Sequence, residues 1–391
     1  MTNNLNSEIT VSVLIPCLDE AATIGVCVKK AKDALNANKL AGEVIVADNG
    51  SADNSRALAE QNGAKVVLIK EKGYGAALMG GMAVASGRYI VMGDADDSYD
   101  FSQLAPFIDK LREGYDLVMG CRLPAGGGRI MPGAMPWAHR WIGNPLFTAI
   151  GKLFFRSPIH DINCGMRAFT GAAYEKMDLR TIGMEFAPEM VIKTTLQGLK
   201  ITEIPITLNK DGRGRRPHLR SLRDGWRTLR FMLLYCPRWL FLIPGAALLI
   251  LGLVIGSILE FGPIWVGRVG FDASTQLVCA MSVLIGFQLI VFAVFTKVFA
   301  ISENLLPSDH TIERLFEFIK LETGLVAGLI TTLLGLAILI YAVWNWKAHG
   351  FGPMSYPQNL RLTIPAVTLL VLGLEIIFAS FFLSILGLKR K

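Results

Sequence analysis

The chain has 391 residues, 52% of them hydrophobic and only 18% charged, and carries a formal net charge of +7. A soluble domain carries roughly a quarter charged residues. The deficit excludes a disordered chain, a nucleic-acid tail protein and a single water-soluble globule. The charged positions crowd the front of the chain and the rear is mostly apolar, so the pattern implies a globular domain joined to a membrane anchor. In a membrane protein a basic balance implies contact with anionic lipid headgroups rather than with nucleic acid. Cys17, Cys27, Cys121, Cys164, Cys236 and Cys279 form no CxxC and no metal-ligand spacing, which implies free thiols in a reducing compartment.

From Val11 to about Met119, short β-branched runs alternate with amphipathic stretches of helical length. The strands are read at Val11–Ile15, Glu43–Ala47, Lys65–Ile69, Arg88–Met92 and Asp116–Met119, and the helices at Ala21–Asn36, Ser55–Asn62, Ala76–Ser86 and Phe101–Glu113. Strand–helix–strand repetition predicts an α/β domain with a mostly parallel sheet, whose ligand sits beyond the carboxyl ends of the strands. The polar punctuation falls at those ends: Asp19-Glu20, Asp48-Asn49-Gly50-Ser51 and Asp94-Ala95-Asp96-Asp97.

Pro124 to Ile159 breaks the rhythm and reads as a loop followed by a partly membrane-facing helix. Phe186–Leu199 reads as a helix and Ile201–Leu208 as a strand. A basic run follows, from Arg213 through Arg215, Arg216, Arg220, Arg223, Arg227 and Arg230 to Arg238. Within Leu219–Tyr235, Leu222, Trp226, Leu229, Met232 and Leu233 share one helical face opposite several of these arginines, the pattern of a helix lying in the bilayer interface.

Four apolar stretches close the chain, at about 241–259, 276–300, 324–344 and 364–386, each long enough to cross roughly 30 Å of hydrocarbon. The expected organisation is a domain over 1–212, a basic amphipathic interfacial segment over 213–239, and a membrane domain over 240–391. With the front domain cytoplasmic, an even number of spans returns Lys389-Arg390-Lys391 to the same side. The inner flanks would hold Lys297, Arg314 and Lys320 and the outer loops Arg268, Lys347 and Arg361, and the basic run before the first span tips the balance inward.

Asp94 and Asp96 stand two residues apart at a strand end, so their carboxylates point the same way and can share one divalent cation. Oxygen-only ligation suits Mg²⁺ or Mn²⁺ held jointly with a diphosphate. Asp48, after the second strand, can accept from a ribose hydroxyl or a base, and Gly50 permits the sharp turn. Lys72-Gly73-Tyr74-Gly75-Ala76 opens a helix, where glycine-rich backbone can receive phosphate, and it is neither a Walker A loop nor GxGxxG.

In order and spacing, Pro16-Cys17-Leu18-Asp19-Glu20, Asp48 to Ser51, Lys72 to Ala76, Gly93 to Asp96, Gly120-Cys121-Arg122 and Asp161 to Arg167 resemble family 2 glycosyltransferases of the GT-A fold. More closely they are similar to the membrane-embedded branch of the polyprenyl-phosphate (dolichol-phosphate) mannose and glucose synthases. The resemblance covers about Val11 to Arg216. It implies nucleotide-sugar contacts at Pro16, Glu20, Asp48, Lys72, Asp94 and Asp96, with the metal on Asp94 and Asp96. It implies catalytic roles for Asp96, Arg122, Asp161 and Arg167, and acceptor-phosphate contacts at Arg122, Arg140, Arg167, Arg213 and Arg215. The chain departs from the family where Asp97-Ser98 replaces the usual Leu-Gln, and where Asn49 replaces a second Asp.

The chemistry so implied is transfer of one hexose from GDP-mannose or UDP-glucose to a polyprenyl phosphate, with inversion. The acceptor phosphate is substantially dianionic at neutral pH, so an arginine clamp rather than a strong general base is needed. Glu185 and Glu189, at a helix start, are read as dipole-stabilised acids or sugar contacts. A processive polysaccharide synthase is one alternative, and a non-enzymatic scaffold or flippase subunit another. Membrane lipids are the remaining expected partner, and self-association is compatible with the sequence.

Overall fold

A computed structural model describes residues 9–214, 221–303, 305–307, 321–352 and 356–387. Arg215, Arg216, Arg220, Arg314, Lys320 and the tail 389–391 lie outside the described residues. The chain divides into two compact units, Met1–Met232 and Leu233–Lys391.

The first unit is built on a seven-stranded sheet. Its strands are β1 (Val11–Cys17), β2 (Gly42–Asp48), β3 (Lys65–Leu68), β4 (Tyr89–Met92), β5 (Leu117–Cys121), β7 (Arg167–Thr170) and β8 (Ile201–Pro205), in the order β3-β2-β1-β4-β7-β5-β8. β6 (Arg129–Ile130) and β9 (Thr207–Leu208) form a separate parallel pair. β7 runs antiparallel to both its neighbours and every other pairing in the seven is parallel. β1 is buried at all of its positions, as a continuous apolar run in a sheet covered on both faces should be.

The connections are α1 (Ile24–Ala37), α2 (Ser55–Gln61), α3 (Tyr74–Met82) and α4 (Ala105–Arg112), then α5 (Asn144–Phe155), α6 (Gly171–Met177) and α7 (Phe186–Leu196), with α8 (Ser221–Leu234) after the basic run. α3 lies tight on the sheet: a Cβ on Gly81 would come 2.2 Å from Leu14 Cδ1. The helix expected over Phe101–Glu113 is split into a 3₁₀ turn, Phe101–Gln103, and α4, which has a proline in its first turn. The strand expected over Ile201–Leu208 divides at Pro205 into β8 and β9, because proline has no N–H for the ladder. β7 was not expected at all.

Register places the site. Cys17 pairs with Asp48 across β1 and β2, and Leu14 pairs with Met92 across β1 and β4. The segments leaving those strands, Leu18–Glu20, Asn49–Ser51 and Gly93–Asp96, therefore lie side by side along the carboxyl edge of the sheet.

The second unit holds four helices long and apolar enough to cross a membrane: Arg238–Glu260, Ala273–Ser302, Leu321–Ala348 and Asn359–Gly387. They are α9 (Ile243–Glu260) with a π turn before it, α10 (Ala273–Ser302), α11 (Leu321–Ala348) and α12 (Tyr356–Gly387). Each outruns the apolar window seen in the sequence, since polar flanks continue the helix. A hairpin, β10 (Ile264–Val266) and β11 (Val269–Phe271), joins α9 to α10.

Small residues let these helices approach closely, as packing in lipid favours. Gly245 and Gly252 of α9 face Gly286 and Cys279 of α10, and a Cβ on Gly286 would sit 2.5 Å from the Leu249 nitrogen. On α12, Ala366, Gly373 and Ser380 recur every seven residues and meet Gly335, Gly328 and Gly324 of α11.

Candidate active site

The two loops after β1 and β2 are stitched together. Asp19 Oδ1 accepts from the Ala52 amide at 2.7 Å, Asp53 Oδ2 from the Ala21 amide at 3.0 Å, and the Glu20 amide donates to Ser55 Oγ at 2.8 Å. Asp19 adopts the left-handed region (φ 56°), which aspartate tolerates. Asp48 is fully buried and its Oδ1 accepts from the Gly50 and Ser51 amides at 3.0 and 3.1 Å, closing a tight turn. Pro16 is buried within β1 beside Ala47. Lys72 is exposed and donates from Nζ to the Asn49 carbonyl at 2.6 Å.

Asn49 has a role the sequence did not reveal. Its Nδ2 donates to the carbonyls of Ile69 and Glu71 (3.3 and 2.6 Å) while its Oδ1 accepts from the Gly73 amide at 2.8 Å. Only an amide both donates and accepts in this way. The replacement of an acid by Asn therefore anchors the 69–73 loop.

Asp94 and Asp96 lie just beyond β4. Asp94 Oδ1 accepts from the Tyr74 hydroxyl at 3.0 Å. Asp96 is buried, and its Oδ1 accepts from both the amide and hydroxyl of Ser98 at 3.0 and 2.6 Å. Burial raises the Asp94 pKa, against the pull of the Tyr74 hydrogen bond and of Arg213, Arg122 and Arg167. Arg213 bridges the crevice: Nη2 bonds Asp96 Oδ2 and Nη1 lies 3.4 Å from Glu20 Oε1. The segment carrying it is laid along the acidic loop, with the Asn209 amide on the Ser98 carbonyl and the Gly212 amide on the Asp96 carbonyl, each at 2.9 Å. Asp97 (φ 61°) turns outward and pairs with Lys30 at 2.7 Å.

Arg122, directly after β5, is nearly buried and held by Asp161, which is wholly buried. Nε and Nη2 donate to the two carboxylate oxygens at 2.7 and 2.8 Å, and Nη1 reaches the Tyr99 hydroxyl at 3.3 Å. Burial opposes the charge on Arg122, and Asp161 outweighs it, so the guanidinium holds its proton more firmly than an ordinary arginine.

Arg167 departs from its expected place among the acceptor-phosphate contacts. It is 0% exposed on β7, and its guanidinium donates to the carbonyls of Cys164 and Ala187, the latter at 2.7 Å. It ties the start of α7 to the sheet edge beside Asp94. Arg140 is half-buried and stacks on Trp141, 5.2 Å from the ring centre. Arg215 lies outside the described residues. The structure thus brings together Glu20, Asp96 and Arg213, with Arg213 and Arg122 both near enough to act on the charge of Asp94.

Two glutamates four residues apart differ sharply. Glu189 is wholly buried and saturated by the amides of Arg180 and Thr181, the Thr181 hydroxyl and Lys193. Glu185 pairs with Arg227 at 3.1 Å. His160 is held by Glu203 through both its amide and its ring Nδ1. The cysteines are buried, and burial pushes the Cys17 thiol up to about 11 and those of Cys27, Cys121 and Cys164 to about 12, which leaves them unreactive. Tyr74 and Ser98, whose hydroxyls serve a carboxylate, and Tyr99, whose hydroxyl accepts from Arg122, were missed in the sequence because such contacts carry no spacing signature.

The donor set fits a hard divalent cation shared with a ligand. Tyr74 and Ser98 each hold one oxygen of Asp94 and Asp96, which leaves the second oxygens for ligation, with that of Asp96 exchanging Arg213. Among the described residues there is no group of three or more His, Cys, Asp or Glu that could hold a metal ion alone. Two carboxylates completed by substrate phosphates is the usual Mg²⁺ arrangement.

Residues 12–181 match the model of glycosyl transferase family 2, and residues 294–387 match the glycosyltransferase family 2 C-terminal transmembrane region. A low-salt glycan biosynthesis hexosyltransferase, Agl6, of Haloferax volcanii is 37% identical over 381 residues, 97% of this chain and 89% of that one. A dolichyl-phosphate hexose transferase of the same organism is 30% identical over 164 residues, 42% of this chain and 68% of that one. Among solved structures, the Mycobacterium tuberculosis glucosyl-3-phosphoglycerate synthase aligns over 58% of this chain and 80% of its own, at 23% identity and a TM-score of 0.46. An α/β sheet ending in paired acids, followed by membrane-spanning helices, defines a membrane-bound glycosyltransferase. The chain belongs to glycosyltransferase family 2, with a GT-A-like core.

Proposed function

We propose that the protein transfers one hexose, mannose or glucose, from GDP-mannose or UDP-glucose to a polyprenyl phosphate, releasing the nucleoside diphosphate. The observation that carries this reading is the Arg122–Asp161 pair beside Asp94 and Asp96. It is a fixed, charged guanidinium next to acids suited to a diphosphate and its cation. The name of the Haloferax dolichyl-phosphate hexose transferase supports a polyprenyl phosphate as acceptor and a hexose as the group moved.

Glu20 and Lys72 form the nucleotide side of the crevice, with Asp48 shaping its turn and Pro16 buried behind it. Asp94 and Asp96 would hold Mg²⁺ or Mn²⁺, which would supply charge neutralisation for the departing diphosphate. Arg213, already against Asp96 and Glu20, turns to the phosphates once a donor enters. Arg122, kept in place by Asp161, orients the acceptor phosphate behind the anomeric carbon. A phosphate oxygen attacks that carbon as the bond to the diphosphate breaks opposite it, so the product has inverted configuration. The acceptor arrives as a dianion and loses no proton in the step.

An apolar and basic surface supports delivery of the acceptor from lipid. Trp137 and Trp141 ahead of α5 are 68% and 60% exposed, and Leu222 and Trp226 of α8 are 92% and 60% exposed. Arg140, Lys152, Arg223 and Arg230 lie on the same two stretches. Such a face suits an anionic bilayer surface. We take residues 1–212 as the catalytic domain, 213–239 as the interfacial segment and 240–391 as the membrane domain. The positive-inside balance supports a cytoplasmic catalytic domain and C-terminus.

Membranes containing the protein, given polyprenyl phosphate and radiolabelled GDP-mannose or UDP-glucose, test the reading. Label from one donor should enter a mild-acid-labile lipid. Label in a polymer, or in no lipid from either donor, would overturn it.

A further inference from the structure

We propose that Tyr99 is a positioning residue that fixes the outer edge of the acceptor arginine Arg122 close to the donor carboxylate Asp94, an inference that rests on the transfer reaction proposed above. Tyr99 follows the stretch Asp97-Ser98, where the chain departs from its family pattern, and its side chain is 2% exposed. Its hydroxyl oxygen accepts twice, from Arg122 Nη1 at 3.3 Å and from the Gly165 amide at 2.9 Å. With both lone pairs taken, the hydroxyl has only its proton left to give.

Gly165 shows where the hydroxyl stands relative to Asp94. A Cβ on Gly165 would come 2.7 Å from Asp94 Oδ2 and 3.2 Å from the Tyr99 hydroxyl oxygen. The two oxygens flank one glycine, with no Gly165 side chain between them. The other oxygen of Asp94 is held by Tyr74, which approaches from α3. Asp94 thus accepts from the half-buried Tyr74 phenol on the nucleotide side, and the buried Tyr99 hydroxyl stands close by on the Arg122 side.

The hydroxyl is the one group that phenylalanine would remove. What it supplies is the third anchor of Arg122, at the Nη1 edge that Asp161 does not hold. Asp161 fixes the plane of the guanidinium, and Tyr99 fixes its outer edge relative to the donor acids.

The test uses the purified full chain in detergent, with polyprenyl phosphate and whichever of GDP-mannose or UDP-glucose the wild type consumes. Tyr99→Phe should raise the KM for polyprenyl phosphate about tenfold and leave the KM for the nucleotide sugar within about twofold, as loss of one hydrogen bond to a charged group implies. Binding of the corresponding nucleoside diphosphate, by calorimetry, should be unchanged. Tyr74→Phe, which removes a hydroxyl that meets Asp94 from the other side, should show the opposite split, with the donor KM raised and the acceptor KM kept. A wild type that transfers normally beside a Tyr99→Phe variant of unchanged acceptor KM overturns the positioning role alone. Equal losses for both substrates, or a variant that no longer binds nucleotide, also overturn it, since they mark a packing residue. A wild type that transfers nothing to polyprenyl phosphate removes the reading beneath it.

Discussion

Asp161 holds Arg122 by three hydrogen bonds on one side: from Nε at 2.7 Å, from Nη2 at 2.8 Å and from the Arg122 amide at 3.0 Å. The acid has no exposed surface and the arginine little, so each is the other's reason for being charged inside the protein. The amide contact adds a point that a side-chain pair alone lacks: carboxylate, backbone and guanidinium are fixed as one body.

Asp161→Asn should therefore be costly. It leaves a buried guanidinium without its counter-charge, a loss of about 3–5 kcal/mol. Chemical denaturation of the full chain in detergent, followed by near-ultraviolet circular dichroism, should show that loss. A change under about 1 kcal/mol would mean the pair is not the closed unit described.

Asp94→Asn should separate stability from activity. Burial raises the pKa of Asp94, so the folded chain binds that proton more tightly than the unfolded chain does. Its contribution to stability is full below the ordinary carboxylate range and is lost as pH rises through the raised value. At neutral pH the ionised acid is a cost that asparagine removes. The variant should melt higher than wild type at pH 7, with the gap closing on acidification, while transfer is abolished. A lower melting temperature at pH 7 would contradict the burial argument.

Asn49→Asp restores the acid more usual in the family and should nevertheless do harm. The new carboxylate would face the Ile69 and Glu71 carbonyls with no proton to donate, which costs about 1–3 kcal/mol. Because this loop opens α3, the KM for the nucleotide sugar should rise as well. Thermal melts and donor titrations check both; an unchanged melt would show that the amide contacts carry nothing.

Gly328→Leu probes the membrane unit. A Cβ there already falls 2.8 Å from the Gly373 carbonyl oxygen, so a leucine must push α11 and α12 apart. Overpacking of this kind typically costs 1–3 kcal/mol. Resistance to unfolding by sodium dodecyl sulfate should drop, whereas Leu329→Ile, at an exposed position of the same helix, should change little. Equal behaviour of the two variants would argue against the small-residue seam.

The alternation of β-branched runs with helical stretches was legible because each strand of the parallel core is a continuous apolar run, and the four spans were legible from length alone. β7 was not, since Arg167 sits at its head and an arginine in a four-residue stretch hides the apolar pattern. The same residue misled the site reading. A basic side chain next to a motif looks like a phosphate ligand until its donors are seen on the carbonyls of Cys164 and Ala187. Asp94, Asp96, Glu20 and Arg122 could be found because strand ends converge on one edge of a sheet. Tyr74, Tyr99 and Asn49 act through contacts to residues 20 to 24 or more positions away, and no local spacing encodes those.

Mass spectrometry of the lipid formed by the purified protein from polyprenyl phosphate and its nucleotide sugar tests the central claim most directly. The account predicts a product one hexose heavier than the acceptor at every acceptor concentration, and none with Asp96→Asn. A ladder of products carrying two or more hexoses, or full activity in the Asp96→Asn variant, would contradict it.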